Sequence, residues 1–460
     1  MTRSPNTRIP EEFTPMPSLD RAAEVVVVDE LDEGGLDAIG VLITSDGDLP
    51  AGVDLDREAL SRAGFEAKSG TTLVLPNGAG PLTVLVGAGS SGELDAAGLR
   101  DAAAAFARAT WRFGRIGLRV PAIGSADAAA AAQSLAEGAL LARYRFTALQ
   151  REPKDVPLER IELLLDGVAA GAAAAGARAG TVTARAANIA RDLANCPPGH
   201  LTAIEMADVA VALGRQFGFD VEVFDRQQLI ELGCGGLLGV NAGSAEEPRM
   251  VKLRYTPPDR SSGHLGLIGK GIMYDSGGIS LKPSDPMHLL MKMDMGGAAS
   301  VLAAFTALRA LRGTAAVTGW LMCTDNMPSG SAYKLGDVLT ARDGRTVEVK
   351  NTDAEGRLAM MDAFVLANED GVDAIVDIAT LTGAALMALG PSIAAVLGND
   401  STTIGLVKAA AAVTGEAVWE LPLEKKYRPQ LDSDVADISN LGGPYAGATT
   451  AALFLAEFVG

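Results

Sequence analysis

Short apolar runs alternate with alanine-rich amphipathic runs between residues 21 and 166. Apolar runs bounded by turn residues predict strands at EVVVVDE, IGVLIT, TLVLP, LTVLVG, IGLRV and RIELLLD. Longer runs with helical periodicity predict helices at LRDAAAAFARATWRF and ADAAAAAQSLAEGALLARY. This βαβ alternation predicts a mixed or parallel sheet covered by helices.

The same alternation returns with longer elements after a glycine- and alanine-rich segment at 167–202. The early glycines of that segment predict a linker, and its later part predicts a long helix ended by Pro197 and Pro198. Strands are predicted at VEVFD, MVKLRYT, HLGLIGK, AVTGWLMCT, DAIVDIA and IAAVLG. Helices are predicted near 203–216, 298–312, 357–369 and 404–415.

Length and composition agree with two hydrophobic cores. The chain has 460 residues, of which 48% are hydrophobic, and this is too long for one ordinary core. We therefore predict an α/β protein of two domains, each a mixed or mostly parallel sheet flanked by helices. The predicted parts are a disordered tail at 1–20, an N-terminal α/β domain at 21–170 and a C-terminal domain at 171–460.

Charge and cysteine usage restrict the partners and the compartment. A formal net charge of -18 makes nucleic acid and anionic membranes poor partners. Cys196, Cys234 and Cys323 are odd in number and far apart, which favours a reducing compartment and argues against a disulfide framework or a thiolate zinc site. Residues 1–20 contain no apolar signal-peptide core, and no uncharged stretch reaches the length of a membrane span. We expect a cytoplasmic protein.

Two familiar motifs are weak. Gly87, Gly89 and Gly92 form a G-x-G-x-x-G between a strand and a helix, but the following strand, RIGLRVPAIG, lacks the acid that would hold a ribose. A tight turn is the favoured interpretation of these glycines. Ser331 and Lys334 match the S-x-x-K of penicillin-binding proteins, yet neither S-D-N nor K-T-G follows. The chain has three histidines, none beside a candidate nucleophile in sequence.

Two glycine-rich loops concentrate charge at the ends of predicted strands. Segments 265–300 and 351–357 contain Lys270, Asp275, Lys282, Asp294, Asp353, Glu355 and Arg357. Taken singly, such acids are usually turn or capping residues, and such lysines are usually solvated. Four carboxylates crowded together repel one another unless cations lie among them. Two divalent ions about 3.5–4 Å apart would balance this charge.

Four segments in these loops and beyond them resemble one known family. GKGIMYDSGGISLKP, MKMDMGGAAS, NTDAEGRL and DIATLTGA are similar, in order and spacing, to the leucine aminopeptidases, the cytosolic M17 metallopeptidases. The resemblance covers about 180–460 and includes RDLANCPPGHLT, DNMPSGSAYKLGD and QLDSDVADISNLGGPYAGATTAALFL. Tyr274 stands where the family commonly has phenylalanine. Family chains continue for some tens of residues beyond AALFLAEF, whereas this sequence stops at Gly460.

The resemblance implies a set of metal ligands: Lys270, Asp275, Asp294, Asp353 and Glu355. It makes Asp275 and Glu355 bridge two ions, with Lys270 and Asp294 completing the tighter site and Asp353 the more exchangeable one. Oxygen ligands with one amine suit zinc, manganese or magnesium, and the family suggests zinc with exchangeable manganese or magnesium.

The resemblance also implies the remaining site residues. Lys282 corresponds to an electrophilic lysine and Arg357 to an arginine that holds bicarbonate as general base. Met291, Thr380 and Gly383 correspond to the lining of the first side-chain pocket, although Met291 could equally be simple core.

The implied activity is that of a dinuclear aminopeptidase. A metal-bridging hydroxide would attack the first peptide bond of peptides with a free N-terminus, preferably after leucine or another apolar residue. The resemblance further implies a homohexamer, a dimer of trimers. Two alternatives stay open: a noncatalytic binding or assembly protein on the same scaffold, and a nucleotide-dependent oxidoreductase built on Gly87–Gly92.

Overall fold

The computed structural model describes residues 13–50, 53–78, 80–121 and 127–460. Contacts divide the described residues into two compact units, one within residues 16–189 and one of residues 190–460 together with residues 13–15. Of the predicted tail, residues 1–12 lie outside the described residues, whereas Pro17–Asp20 form a helical turn. The division falls later in the chain than residue 170, and the boundary proposed there stays a prediction.

The first unit contains one sheet with helices packed on it. Its strands are β1 (Glu24–Val27), β2 (Ala38–Ile43), β3 (Thr72–Leu75), β4 (Leu82–Gly87), β5 (Arg115–Val120) and β6 (Arg160–Leu165). Its helices are α1 (Pro17–Asp20), α2 (Arg57–Arg62), α3 (Ala96–Ala109), α4 (Ala128–Ala142) and most of α5 (Ala170–Asn195). The strand order is β1-β6-β5-β2-β4-β3, and only the β3–β4 pair is antiparallel. The predicted α/β class is confirmed.

The turn between β4 and α3 explains two of the three glycines of the dinucleotide-like pattern. A Cβ at Gly87 would lie 2.3 Å from the carbonyl oxygen of Lys68, and Gly89 has a φ of +76°, so both positions need glycine for packing or conformation. Asp46 accepts a hydrogen bond from the backbone N–H of Ser91 at 2.8 Å. Because a carboxylate already occupies an N–H group of this turn, the geometry disfavours a pyrophosphate there.

The linker predicted at the start of 167–202 was wrong, because α5 begins at Ala170. Its glycines serve close packing against α4 instead of flexibility. A Cβ at Gly176 would lie 1.9 Å from the carbonyl oxygen of Ala129, and one at Gly180 would lie 2.5 Å from that of Gln133. The two helices therefore approach at contacts that no larger residue would allow.

The second unit is built on a longer sheet with several short elements around it. Its strands are β7 (Asp220–Phe224), β8 (Arg249–Tyr255), β9 (His264–Asp275), β10 (Ala316–Asn326), β11 (Val338–Thr340), β12 (Thr346–Glu348), β13 (Ala374–Ile378), β14 (Ala394–Val396), β15 (Val418–Glu420) and β16 (Ile438–Ser439). Its helices are α6 (Ala203–Phe217), α7 (Arg226–Leu232), α8 (Gly235–Asn241), α9 (Pro286–Leu290), α10 (Gly296–Leu308), α11 (Glu355–Glu369), α12 (Gly383–Leu389), α13 (Ser401–Thr414) and α14 (Gly447–Ala456). Of the short elements, β14 was predicted as IAAVLG, whereas β11, β12, β15, β16, α7, α8, α9 and α12 were not.

The main sheet of this unit brings three strand ends to one edge. Its order is β13-β9-β10-β8-β7, in which β13, β9 and β10 are parallel and β8 and β7 antiparallel to their neighbours. Helices α8 and α11 pack on it through the core that contains Trp320, Met322 and Phe364, and α10 also packs against β9, β10 and β13. Parallel strands place their carboxyl ends together. The segments that follow β9, β10 and β13 therefore share one edge.

By length and composition alone, one stretch of the described residues, Pro286–Leu308, could cross a membrane. It consists of α9, a 3₁₀ turn at Met291–Met293 and α10, and 61% of its most apolar window is buried in the fold. Because it contains Lys292 and Asp294, it differs from an uncharged membrane span.

Helix α8 depends on an acid from another element. The buried carboxylate of Asp362, on α11, accepts hydrogen bonds from the backbone N–H groups of Gly236 at 3.0 Å, Leu237 at 3.3 Å and Arg342 at 3.0 Å. Burial raises the pKa of this carboxyl to about 7 from 3.8, although the three N–H groups oppose the shift. A buried carboxyl group is thus held at the start of a short helix that contains three glycines.

We expect Asp362→Ala to lower the free energy of unfolding by about 2–4 kcal/mol at pH 5, because three buried N–H groups lose their acceptor. The loss should be smaller at pH 8. Between pH 3.8 and about 7 the folded chain keeps a proton on Asp362 that the unfolded chain has released, so the stability that this group contributes falls as pH rises through that window. Denaturant unfolding at both pH values and one fixed metal concentration measures this. The exposed Glu231→Ala is the control, and an equal effect in both variants would contradict the assignment.

Candidate metal centre

The first charged loop follows β9 directly. Asp275 is the last residue of the strand, and Lys270 lies five residues earlier on the same strand. After Asp275 the chain turns sharply, because Gly277 has a φ of +87°, and its N–H donates to Asp275 Oδ1 at 2.9 Å. The turn leads to Lys282, whose N–H donates to the carbonyl oxygen of Ser276 at 2.9 Å.

The second charged loop ends at the first residue of α11. Thr352 joins the two loops, since its Oγ1 donates to the carbonyl oxygen of Gly277 at 2.7 Å and accepts from the N–H of Ser280 at 2.9 Å. Glu355 begins α11 and is buried. The next residue, Gly356, passes beneath Lys270, and a Cβ there would lie 2.8 Å from Lys270 Nζ. Sequence neighbours at 353–356 are thereby held against the end of β9.

Lys270 lies between two acids in a dry environment. Its Nζ is 2.7 Å from Asp294 Oδ2 and 2.9 Å from Glu355 Oε1, and all three side chains are at most 5% exposed. Thr380 contacts the same group, because its carbonyl oxygen accepts from Lys270 Nζ at 3.1 Å and its hydroxyl donates to Asp294 Oδ1 at 2.7 Å.

Lys282 lies between two other acids. Its Nζ is 2.8 Å from Asp275 Oδ2 and 2.6 Å from Asp353 Oδ1. The Asp353 side chain is 34% exposed, so this side of the cluster is open to solvent. Three carboxylate oxygens lie within 4.8 Å of one another, one each from Asp275, Asp353 and Glu355. At this spacing they could bind the same cluster of cations.

The pKa values report an excess of buried acid. Burial raises the pKa of Glu355 to about 8 and that of Asp294 to about 6, although the Lys270 ammonium opposes both shifts. Burial also raises the pKa of Asp353. For Lys270 and Lys282 burial disfavours the ammonium, but the neighbouring carboxylates outweigh it and raise both pKa values. Each lysine therefore remains a cation between acids.

These contacts fit a pair of divalent cations. Each ammonium lies between two carboxylates from different loops, as a metal ion would, and the two ammonium groups mark two neighbouring cation positions. Glu355 Oε2 is buried without a hydrogen-bond partner among the described residues, which leaves it available as a ligand. The donors are hard oxygens and one amine, the set that zinc, manganese and magnesium accept.

Arg357 is a buried cation with unused donors. Its side chain is 5% exposed, and within the described ranges neither Nε nor Nη1 has a hydrogen-bond partner. Burial lowers its pKa to about 10, against the opposing effect of Glu355, so the group stays charged at neutral pH. A buried guanidinium with free donors suits a small anion.

The three predicted pocket residues lie in three different environments. Thr380 follows β13 and contacts Asp294 and Lys270, as described above. Met291 begins the 3₁₀ turn before Asp294, is 9% exposed, and accepts the Asp294 N–H on its carbonyl oxygen at 3.3 Å. Gly383 begins α12, with open space where a Cβ would lie. Their role in a pocket stays a prediction.

The other candidate nucleophiles do not assemble in the described part of the chain. Ser331 Oγ donates to the carbonyl oxygen of Ala242 at 2.7 Å, and Lys334 Nζ donates to that of Ala332. His264 Nε2 lies 2.8 Å from the Thr318 hydroxyl on the sheet. The other two histidines pack against aromatic rings, His200 on Phe13 and His288 on Tyr274. The three cysteines are buried free thiols whose pKa values burial raises to about 12.

Sequence reasoning missed the polar residues that hold the loops together. Asn326, Thr352 and Tyr333 are buried, and each hydrogen-bonds within or between the ligand loops. Asn326 and Tyr333 lie in DNMPSGSAYKLGD, which resembles the family as a whole but gives no residue-level indication of contact. The only available signal was a polar residue at the end of an apolar strand.

Two family models match the chain. The catalytic domain of the cytosol aminopeptidase family matches residues 188–460, and its N-terminal domain matches residues 54–153. Among curated proteins, the probable cytosol aminopeptidase of Streptomyces coelicolor is 43% identical over 424 residues, which are 88% of this chain and 81% of that protein. That of Chlorobium luteolum is 41% identical over 419 residues, 86% of this chain and 82% of that protein.

Solved structures are similar over nearly the whole chain. The bottromycin maturation enzyme BotP in complex with Mn has a TM-score of 0.84 and 38% identity, covering 93% of this chain and 90% of that one. The same enzyme in a second structure has a TM-score of 0.83 and 37% identity, with the same coverage.

Proposed function

The chain belongs to the cytosol aminopeptidase family of metal-dependent peptidases, and we propose that its activity depends on two divalent cations held by the loops after β9 and before α11. Asp275 and Glu355 would bridge both cations. Lys270 and Asp294 would complete one position, and Asp353 the other. The observation that carries this proposal is the pair of lysine ammonium groups, each between two carboxylates from separate loops.

Zinc, with manganese or magnesium exchangeable at the more open position, suits this ligand set. When bound, the two cations supply a shared water acidified for attack near neutral pH, a position for the free α-amine and polarisation of the scissile carbonyl. The open side at Asp353 is the side where exchange is easiest, since Asp294 and Glu355 at the other position are dry.

Lys270 would have to coordinate as a neutral amine. The raised pKa reflects the attraction of Asp294 and Glu355, which outweighs burial. With these carboxylates neutralised by a bound divalent cation, Lys270 would lose the attraction that keeps it protonated and would release its proton to solvent. The Thr380 carbonyl oxygen, 3.1 Å from Nζ, then still accepts one amine N–H and keeps the amine oriented toward Asp294 and Glu355.

Lys282 and Arg357 supply the remaining chemistry from this chain. Freed from Asp275 and Asp353, the Lys282 ammonium would donate to the oxyanion that develops on the scissile carbonyl oxygen. Arg357, with its unpartnered buried donors, would hold bicarbonate, and the anion would carry a proton to the leaving amine. Neither role requires histidine.

The proposed substrates are peptides with a free N-terminus and an apolar first residue such as leucine. Met291, Thr380 and Gly383 would line the pocket for that residue. The proposed location is the cytoplasm, where the three buried thiols stay reduced. It assembles as a homohexamer, which the family resemblance alone supports, and light scattering that gives the mass of a monomer would refute it.

Chelation tests the proposal. We expect leucine anilide hydrolysis to fall to background after metal removal and to return with added zinc or manganese. N-acetyl-leucine anilide, which lacks the free α-amine, is the matched control and should be cleaved at least about 100-fold more slowly. Hydrolysis that survives complete metal removal contradicts the proposal. Absence of activity with metal supplied would favour the noncatalytic binding protein, and binding of a nicotinamide cofactor without metal would favour the oxidoreductase.

A further inference from the structure

Asn326 lies at the junction of the two ligand loops and is fully buried. It is the last residue of β10, where the register with β9 shifts between Thr324 and Asn326 so that Asn326 pairs with Asp275. Its carbonyl oxygen accepts from the N–H of Ser276 at 3.1 Å and from the Ser276 hydroxyl at 2.6 Å. The backbone of Asn326 thus fixes the residue that follows Asp275.

The side-chain amide of Asn326 connects both loops. Its Nδ2 donates to Asp275 Oδ1 at 2.8 Å and to the carbonyl oxygen of Thr352 at 3.0 Å. One hydrogen of the amide therefore goes to the acid at the end of β9, and the other goes to the residue before Asp353. The Tyr333 hydroxyl donates to the same Thr352 oxygen at 2.8 Å.

This arrangement decides which oxygen of Asp275 is available. Oδ1 already accepts two hydrogen bonds, from the Gly277 N–H at 2.9 Å and from Asn326 Nδ2 at 2.8 Å. Oδ2 is thereby turned toward Lys282 Nζ, 2.8 Å away, at one of the two cation positions. A free carboxylate rotates about its Cβ–Cγ bond, whereas this one is fixed by donors on one side.

We propose that Asn326 is a positioning residue of the metal centre, which fixes the Asp275 carboxylate and the backbone before Asp353 with one amide and so sets metal affinity at both cation positions. The inference rests on the proposed function for the identity of the ligands. Asn326 contacts neither substrate nor reacting atoms in this assignment. Its effect passes through Asp275 and Thr352, as expected of residues that orient metal ligands from outside.

The nearly isosteric Asn326→Asp tests this. Aspartate keeps the shape of asparagine, but it replaces the donor Nδ2 with a carboxylate oxygen. That oxygen is an acceptor and would face two other acceptors, Asp275 Oδ1 and the Thr352 carbonyl oxygen. We expect the dissociation constant for Co²⁺ to rise at least about 10-fold and the visible absorption of the Co²⁺-loaded protein to change, because ligand orientation sets both. The full chain is used, and both quantities are measured without a peptidase assay.

A matched amide-to-acid change serves as control. Asn241 is also buried, and its Nδ2 donates to the carbonyl oxygen of Glu246 at 2.8 Å and to the Thr324 hydroxyl at 3.0 Å. Asn241→Asp should disturb the fold comparably while leaving Co²⁺ affinity and spectrum as in the wild type. If Asn326→Asp does not fold, the smaller and uncharged Asn326→Ser replaces it, with the same expectation.

The outcomes separate the two proposals. Wild-type affinity and spectrum in the folded Asn326 variant overturn the positioning role, whatever the activity of the enzyme. Equal losses in the Asn326 and Asn241 variants also overturn it, because they would show a general effect of buried charge. A wild-type protein that binds Co²⁺ yet cleaves no peptide analogue would refute the proposed function alone.

Discussion

Glu355→Gln is expected to lower kcat/KM for leucine anilide by at least about 10³-fold and to remove tightly bound metal, since a divalent pair contributes several kcal/mol to such reactions. Glu355 is the buried acid whose Oε1 contacts Lys270 and whose Oε2 has no hydrogen-bond partner in the described segments. If it bridges both cations, its loss weakens both positions at once. Glutamine keeps the shape but removes the charge and leaves one acceptor.

Glu369→Gln is the matched control for this variant. Glu369 is the last residue of the same helix, its side chain is 48% exposed, and it pairs with Arg342 at the surface. Metal content and kcat/KM should stay at wild-type values there, because an exposed ion pair contributes at most about 1 kcal/mol. Circular dichroism and metal analysis of both variants separate loss of the centre from loss of the fold. Full metal occupancy in Glu355→Gln would rule out a bridging role.

Lys282→Ala is expected to lower kcat by about 10²–10³-fold at unchanged metal content, the cost typical of losing one oxyanion donor. The half-buried ammonium contacts Asp275 and Asp353 in the present constellation, so it competes with a cation for those acids. Removal of the ammonium therefore should not lower the affinity of these acids for metal. Steady-state kinetics at saturating metal, together with metal analysis, measure the two effects separately.

Lys408→Ala is the control for the lysine change, because Lys408 forms an exposed ion pair with Glu420. It should leave kcat and metal content unaltered. A loss of metal from Lys282→Ala would instead identify Lys282 as a metal ligand. An unchanged kcat would show that Lys282 does not donate to the developing oxyanion.

Sequence alone predicted the long strands because their apolar runs are continuous. IGVLIT became β2 and HLGLIGK the start of β9, and most residues of both strands are buried. Helix α8, with the sequence GGLLGVN, was not predictable, since its N-terminal N–H groups depend on Asp362, which lies 126 residues from Gly236. In α5 the glycines that predicted a linker accommodate the backbone of α4, a tertiary contact with no local signal.

In the candidate metal centre, too, the sequence predicted the residues with a local signal and missed those that depend on tertiary contacts. Family-like segments identified the acids and lysines, and the structure brings six of them together, as the ion pairs of Lys270 and Lys282 record. Asn326 was missed because its importance depends on a register shift at the end of β10 that pairs it with Asp275. Thr380 was predicted to line a pocket, whereas its described hydrogen bonds go to Asp294 and Lys270.

The two lysine ammonium groups also bear on how the protein is made. Four acids gathered without compensation would push the strand ends apart, yet each of the two lysines lies between a pair of them and offsets part of their charge. We therefore expect a newly synthesised chain to fold under metal-poor conditions and to bind its ions later, so that the supply of ions limits activation and not folding.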